Sequence, residues 1–291
     1  MFSGEALLQV AVSGLLMGAA YALMAIGFTI VSGVMNIVNF AHGHIVMAAM
    51  FVSWCLNVYL GVDPYWAALL IFPVFIVVGA VLYRAVVAPI VEATHAAQMV
   101  ATIALLIIIE NGANLFFGGD LRSVTLSYGT RSLEVAGIAL PVTRLAAAGA
   151  SLAAVAALWA FLKFTRFGAE IRAAADNQLG AALVGIAIRR VFLRAFALAT
   201  AAAAFAGALL IPFYLVNPFV GYDFMLKSFV IAIIGGLGSL PGALVAGLLV
   251  GFIEAAGNFF LTASLGTALV FALLVLFLLV RPSGLFGTAR T

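Results

Sequence analysis

Two asparagines and two histidines, Asn36, Asn39, His42 and His44, crowd the stretch "NIVNFAHGHIVMAAM" inside a run, 6–62, that holds no Asp, Glu, Lys or Arg. Side chains of these types hydrogen-bond, carry protons or ligate metals. Metal ligation fits poorly. Histidines at i and i+2 diverge on a helix, no carboxylate or thiolate stands near, and His95 belongs to another segment. A proton relay needs titratable neighbours that the stretch lacks. Hydrogen bonding remains, to neighbouring helices or to water along a solute path. Drawn as a helix, the stretch puts Asn36, Asn39 and Gly43 on one face, with His42 at its edge and His44 turned away.

Three further residues stand in or beside apolar runs: Glu110, Lys227 and Glu254. A charge near the centre of a bilayer costs at least ~2.5 kcal/mol on insertion scales, so each needs a partner or a purpose. Glu110 closes "ATIALLIIIE" and is followed by Asn111. It is expected near the outer end of its helix, as an interfacial anchor or a pathway group. Lys227 is expected to snorkel from its helix end, and Glu254, which is deeper, to make an interhelical hydrogen bond. "GGLGSLPG", 235–242, resembles a phosphate loop superficially but has no Lys-Ser/Thr after its last glycine, so nothing would hold a nucleotide's outer phosphates. No cofactor is expected in the chain, no basic–aromatic face suggests nucleic acid, and the single cysteine, Cys55, allows no intrachain disulfide.

The elements that carry these groups follow from composition. Of 291 residues 66% are hydrophobic and 8% charged, with a mean hydropathy of +1.29; a soluble domain has about 25% charged and about 45–50% apolar residues. Charge-free runs at 64–83, 93–109, 145–162, 195–222, 228–253 and 255–280 approach or exceed the ~20 residues of a spanning helix, and 6–62 accommodates two crossings. Backbone groups in lipid must be satisfied within a helix or a closed barrel, and the run lengths exclude a barrel. The chain therefore reads as an all-α polytopic membrane protein, one transmembrane domain over 1–291 with eight or nine crossings. The start, "MFSGEALLQV", lacks the basic region of a cleavable signal.

Six of the thirteen Lys and Arg residues fall between Lys163 and Arg194, which by the positive-inside rule makes the loop at 164–190 cytoplasmic. Arg281 and Arg290 put the C-terminus on that side, and Arg84 does the same for 84–97. Counting outwards leaves the N-terminus and the turn "GVDP" outside, with an outer loop at 118–140 that reads as turns and a short hairpin. Two polar or glycine-rich interruptions, about 36–44 and 216–242, break the hydrophobic pattern, one in each half. Broken backbone at membrane depth is tolerated only against protein or a water-filled cavity, and in transporters such paired breaks point to the substrate path. Gly14/Gly18 and Gly247/Gly251 are G-x-x-x-G pairs suited to close helix packing, and Glu254 and Asn258 continue the second stripe.

"VNFAHG" (Val38–Gly43), "RFGAEIRAAADNQLGAALVGI" (Arg166–Ile186) and "SFVIAIIGGLGSLPGALVAGLLVGFIE" (Ser228–Glu254) occur in that order. Together they resemble the permease subunits of branched-chain amino-acid ABC importers, and the chain as a whole is similar to the shorter of that system's two permeases. The resemblance implies the ABC importer permease fold in a bacterial inner membrane, and half of a pathway for branched-chain or other amino acids, urea-like solutes or aromatic carboxylates. It implies a second homologous permease, a periplasmic solute-binding protein, and two cytoplasmic ATPases that carry the ATP and Mg. It also implies an ATPase-coupling helix in which Arg166, Gly168, Arg172, Ala173, Ala174, Asp176, Gly180, Ala181 and Gly185 take part. The expected pathway groups are Asn36, Asn39, His42, His44, Glu110, Asn111, Gly235, Gly236, Gly238 and Glu254. Two departures stand out. His44 occupies a position that is commonly acidic in the family, and Glu110 one that tends to be an uncharged amide. The competing reading is an ion-coupled secondary transporter working without an ATPase, with Glu110 and Glu254 as its candidate carboxylates.

Overall fold

A computed structural model describes residues 4–135 and 137–287; residues 1–3 and Arg290, which entered the reading of the two ends, lie outside them. The helices are α1 (Gly4–Met35), α2 (His42–Leu60), α3 (Pro64–Leu82), α4 (Ala88–Ile90), α5 (His95–Phe117), α6 (Val142–Phe164), α7 (Arg166–Asp176), α8 (Gln178–Leu183), α9 (Ile188–Leu210), α10 (Val220–Gly235), α11 (Leu240–Phe260) and α12 (Ala263–Val280). A π-helical turn, Tyr83–Val87, joins α3 to α4. Among the described residues, seven segments are long and apolar enough to cross a membrane: α1, α2, Pro64–Ile90, α5, α6, α9 and α11. Ser264–Val280 adds a shorter apolar stretch, and α10 has 16 residues. The chain is a polytopic all-α membrane protein.

Charge-free sequence says where helices can stand; short polar residues decide where they begin. Asp63, Thr94, Thr165, Asn177, Ser239 and Thr262 each accept a backbone N–H of the helix they precede, satisfying donors that the helix itself cannot. Such caps and turns cut the runs differently from their charge content. The run 195–222 is the end of α9, a turn and the start of α10, and 228–253 is divided between α10 and α11.

Helix α1 lies at the centre, enclosed by α6, α9, α10 and α11, and packs most extensively on α11. Gly14 and Gly18 face Gly247 and Gly251 across that contact with backbone against backbone. Lipid tails are as apolar as leucine, so such close approach stands in for a hydrophobic drive. In contrast, α3 and α5 leave most of their surface outside the bundle.

One end of the bundle carries an antiparallel hairpin, β1 (Ser132–Val135) and β2 (Ile138–Pro141). There Gln9 donates to and accepts from Ala139, at 2.6 and 2.9 Å, and Tyr128 donates its hydroxyl to Asp63. Burial, followed by that carboxylate, pushes the Tyr128 hydroxyl up, so it stays a donor. The other end carries α7 and α8.

Several expectations are corrected. Asn36–Ala41 is not helical. Asn36 has a left-handed backbone, φ 56°, a conformation asparagine tolerates at a helix end, and α2 begins only at His42. The second interruption holds a whole helix, α10, whose start is "VGYD" and whose end is "GG". The coupling segment is two helices, because the Asn177 side chain accepts the Gly180 N–H at 2.8 Å and starts α8 afresh. Gly168 lies inside the first of these, α7. Arg84 sits within the span that runs to Ile90. Lys227 does not snorkel; it is buried in mid-helix.

Candidate translocation site

The two interruptions meet. After α1 ends, the chain turns back along it, and His42 Nε2 reaches the Met24 carbonyl at 3.0 Å. Met24 lies three turns before the end of α1, about 16 Å at 1.5 Å per residue. A six-residue non-helical stretch, 36–41, thus climbs into the bundle before α2 starts. Asn39 makes that start: its Oδ1 accepts the Ala41 N–H at 3.1 Å and its carbonyl the His42 N–H at 3.2 Å. Gly43 then lies directly on Gly221 and Met225, the first turns of α10. Only a residue without a side chain fits, since any Cβ would enter the Gly221 carbonyl and the Met225 amide. Two broken helices therefore oppose their N-terminal ends inside the protein, an arrangement that places positive dipole ends and polar groups together.

The two histidines turn to different neighbours. His42, 1% exposed, donates to Met24 and stands edge-on to Phe28 at 5.6 Å. His44, fully buried, pairs through Nε2 with Glu110 Oε2 at 3.1 Å, and the Tyr222 ring stands edge-on to it at 4.9 Å. His44 and Glu110, singled out separately in the sequence, are thus partners of each other. Asn111 hydrogen-bonds back to Ile107 of its own helix at 2.9 Å and takes no part in this cluster.

Gly235, Gly236 and Gly238 serve close backbone packing at the other end. Gly236 and Gly238 adopt φ of 96° and 87°, and Gly238 lies against Gly33 of α1. Residues 281–287 fold back onto this turn, with Leu285 N–H donating to the Ile234 carbonyl at 2.7 Å and Phe286 N–H to that of Gly235 at 3.1 Å.

Glu254 is paired as well. Lys227 Nζ donates to Glu254 Oε1 at 2.7 Å and to the Tyr21 hydroxyl at 3.0 Å. Side-chain exposures of 8% and 13% make this a buried pair joining α10 to α11. Sequence reasoning missed Tyr21 and the Lys227 link, although a signal existed. Tyr21 continues the Gly14/Gly18 stripe as Glu254 continues Gly247/Gly251, and Lys227 reaches both.

At the α7–α8 end, Gly168, Ala174 and Ala181 are buried, whereas Arg166, Asp176 and Gly185 are not and Ala173 and Gly180 are partly covered. Gly168 packs on Leu162, and Arg172 donates to the Leu162 carbonyl. The outward face is made by residues not anticipated: Leu179, Leu183 and Val184, 72%, 80% and 77% exposed. Their spacing, i, i+4 and i+5, as the large apolar side chains among glycines and alanines on a basic loop, was the available signal. Gln178 Nε2 also donates to the Val34 carbonyl at 3.3 Å, which ties α8 to α1 beside the Asn36 break.

Comparison with known proteins accords with this architecture. Residues 10–280 match the family described as branched-chain amino acid transport system / permease component. The chain is 33% identical over 295 residues to the high-affinity branched-chain amino acid transport system permease protein LivH of Escherichia coli K12, covering 96% of this chain and 95% of that one. It is 29% identical to the corresponding permease protein BraD of Pseudomonas aeruginosa, with the same coverage. To a probable branched-chain amino acid transport permease protein LivH of Methanocaldococcus jannaschii it is 25% identical, over 91% of this chain and 88% of that one. No solved structure matches the chain. With the match running from the first helix to the last, the chain belongs to the permease components of branched-chain amino acid transport systems.

Proposed function

We propose that this chain forms half of the translocation path of an ATP-driven importer for branched-chain amino acids or a closely related zwitterion. It works beside a second homologous permease in a bacterial inner membrane, with its N-terminus periplasmic and its C-terminus cytoplasmic. A solute-binding protein delivers cargo at the hairpin end, and two ATPases, which carry the ATP and Mg, dock at the α7–α8 end. The observation that carries the reading is the ridge of Leu179, Leu183 and Val184 on a basic loop between two spans. Large exposed apolar side chains on a water-facing segment mark an interaction surface, and an apolar helix face laid into a groove is a standard docking mode. The Gln178–Val34 hydrogen bond gives a docked ATPase a mechanical link to the end of α1 and the broken segment. The thinly covered helices α3 and α5 are left to lipid and the second permease.

The ion-coupled alternative requires a carboxylate free to take up a cation. Glu110 is instead paired with His44, and the charge of Glu254 is already balanced by Lys227, although its Oε2 keeps a free acceptor. The deciding experiment is affinity purification of the tagged chain from its native membrane, followed by reconstitution. Co-purification of a second permease and two ATPases, with leucine uptake that requires ATP and the binding protein, is the expected outcome. Solute movement by the single chain alone sinks the importer reading.

A further inference from the structure

Between α1, α10, α11 and α12 lies a cavity of about 600 Å³, within the ~300–1,000 Å³ range of small-molecule sites. Arg144, at the start of α6, and the Lys227–Glu254 pair both line it. Its formally charged lining residues are Arg144, Asp223, Lys227 and Glu254. Two cations against two anions sum to zero, so neither a free anion nor a free cation is favoured by net charge. Much of the remaining wall is apolar, including Met17, Leu226, Val230, Val270 and Phe271.

The hydrogen-bond accounts within this cavity are uneven. The Lys227 ammonium is held by Glu254 Oε1 and Tyr21. Glu254 Oε2 is buried and has no donor. A buried carboxylate oxygen left without a donor is costly, and the soft terminal torsion of glutamate lets either oxygen turn to a new partner. Arg144 pairs with no carboxylate among the described residues. The cavity thus offers one unmatched acceptor, one guanidinium without a carboxylate partner among the described residues, and an apolar wall.

We propose that this cavity is a binding site for an α-amino acid with an aliphatic side chain. The ligand's ammonium donates to Glu254, its carboxylate accepts from Arg144, and its side chain lies on the apolar wall. The assignment rests on the importer reading and adds to it a site at which the permease itself meets the cargo. The same ammonium-and-anion chemistry is carried by a phosphatidylethanolamine headgroup, and the test separates the two sources.

Binding of radiolabelled L-leucine is measured on the purified transporter, with its co-purifying subunits but no solute-binding protein, in nanodiscs of phosphatidylcholine and phosphatidylglycerol. Saturable binding is expected, at least ten-fold weaker in Arg144→Gln. The preference for leucine over leucinol, which lacks the carboxylate, is expected to collapse in that variant. Glu254→Gln should weaken binding comparably, but it leaves Lys227 buried without its counter-charge and can fail to assemble. Arg144, whose replacement strands no ion-pair partner among the described residues, keeps the proposal falsifiable. Equal leucine binding by native protein and Arg144→Gln overturns it. So does absence of leucine binding, or retention of phosphatidylethanolamine by the native protein that Arg144→Gln abolishes while leucine binding is unchanged. Uptake driven by ATP and the binding protein is assayed in parallel. If it persists in the native protein while these binding results fail, the site is lost and the importer reading stands.

Discussion

Replacing Gly251 with alanine adds one methyl group at the tightest part of the α1–α11 contact. The added Cβ stands 2.5 Å from the Gly14 carbonyl oxygen and from Cα and N of Gly18. All three are backbone atoms and cannot rotate aside. Non-bonded carbons rest at about 3.5–4.0 Å, so the helices must part by about 1 Å, and a gap of that size forfeits a quarter to a half of the attraction of every atom pair it opens. Less than one turn away, Lys227 bridges Tyr21 of α1 at 3.0 Å and Glu254 of α11 at 2.7 Å, so the same displacement strains that bridge towards the limit of hydrogen-bonding range. Overpacking of this kind costs about 1–3 kcal/mol, and strain on the ion pair puts Gly251→Ala at the upper end of that range. The control is Gly149→Ala in α6, where an added Cβ meets nothing within 4 Å; relieving the glycine there changes stability by about 0.5–1 kcal/mol in the opposite direction. Equilibrium unfolding of the purified chain in mixed micelles, followed by circular dichroism, reads both. If Gly251→Ala unfolds no earlier than Gly149→Ala, the two helices are not in backbone contact and the account of the seam is wrong.

Lys227→Met should cost about 3–5 kcal/mol, because it strands the buried Glu254 charge. The double variant Lys227→Met/Glu254→Leu should recover most of the loss, and a double variant as unstable as the single removes the ion pair from that role. Glu110→Gln preserves an acceptor for His44 Nε2 and should keep leucine uptake within a few-fold of native, whereas Glu110→Leu should lower it at least ten-fold, roughly the 1.4 kcal/mol of a lost buried hydrogen bond. Uptake unchanged in Glu110→Leu takes the His44–Glu110 pair out of the pathway. Leu183→Asp should leave the fold intact, since the side chain is 80% exposed, yet abolish co-purification of ATPases; undiminished recovery of ATPases would place their contact elsewhere.

The spans were legible because lipid excludes charge, and runs without charge are visible in any sequence. Helix ends were less so. Asn39 looked like a pathway amide because its use, accepting the Ala41 N–H in the turn that precedes α2, depends on a backbone turn that composition does not record. The two glycine stripes were visible, but not that they face each other, nor that Lys227 links Tyr21 to Glu254 across them. Lys227 stands on α10 and its partners on α1 and α11, so their meeting is a property of the bundle. His44 and Glu110 looked like two separate departures from a family pattern, and only their 3.1 Å contact makes them one. Leu179, Leu183 and Val184 escaped notice because leucine and valine are unremarkable in a chain this apolar. Their meaning comes from lying on the basic loop.

The fold-back of residues 281–287 onto the end of α10 bears on the order in which the protein is made. The Ile234 and Gly235 carbonyls that Leu285 and Phe286 satisfy leave the ribosome before α11 and α12 have been synthesised. At about 5–20 residues per second, several seconds pass before their donors arrive. During that interval the turn between α10 and α11 must be sheltered by water, lipid headgroups or the insertion machinery. The closing step of biogenesis is therefore a latch, and truncations that spare every span but remove 281–287 should trap a chain that inserts normally and fails to mature.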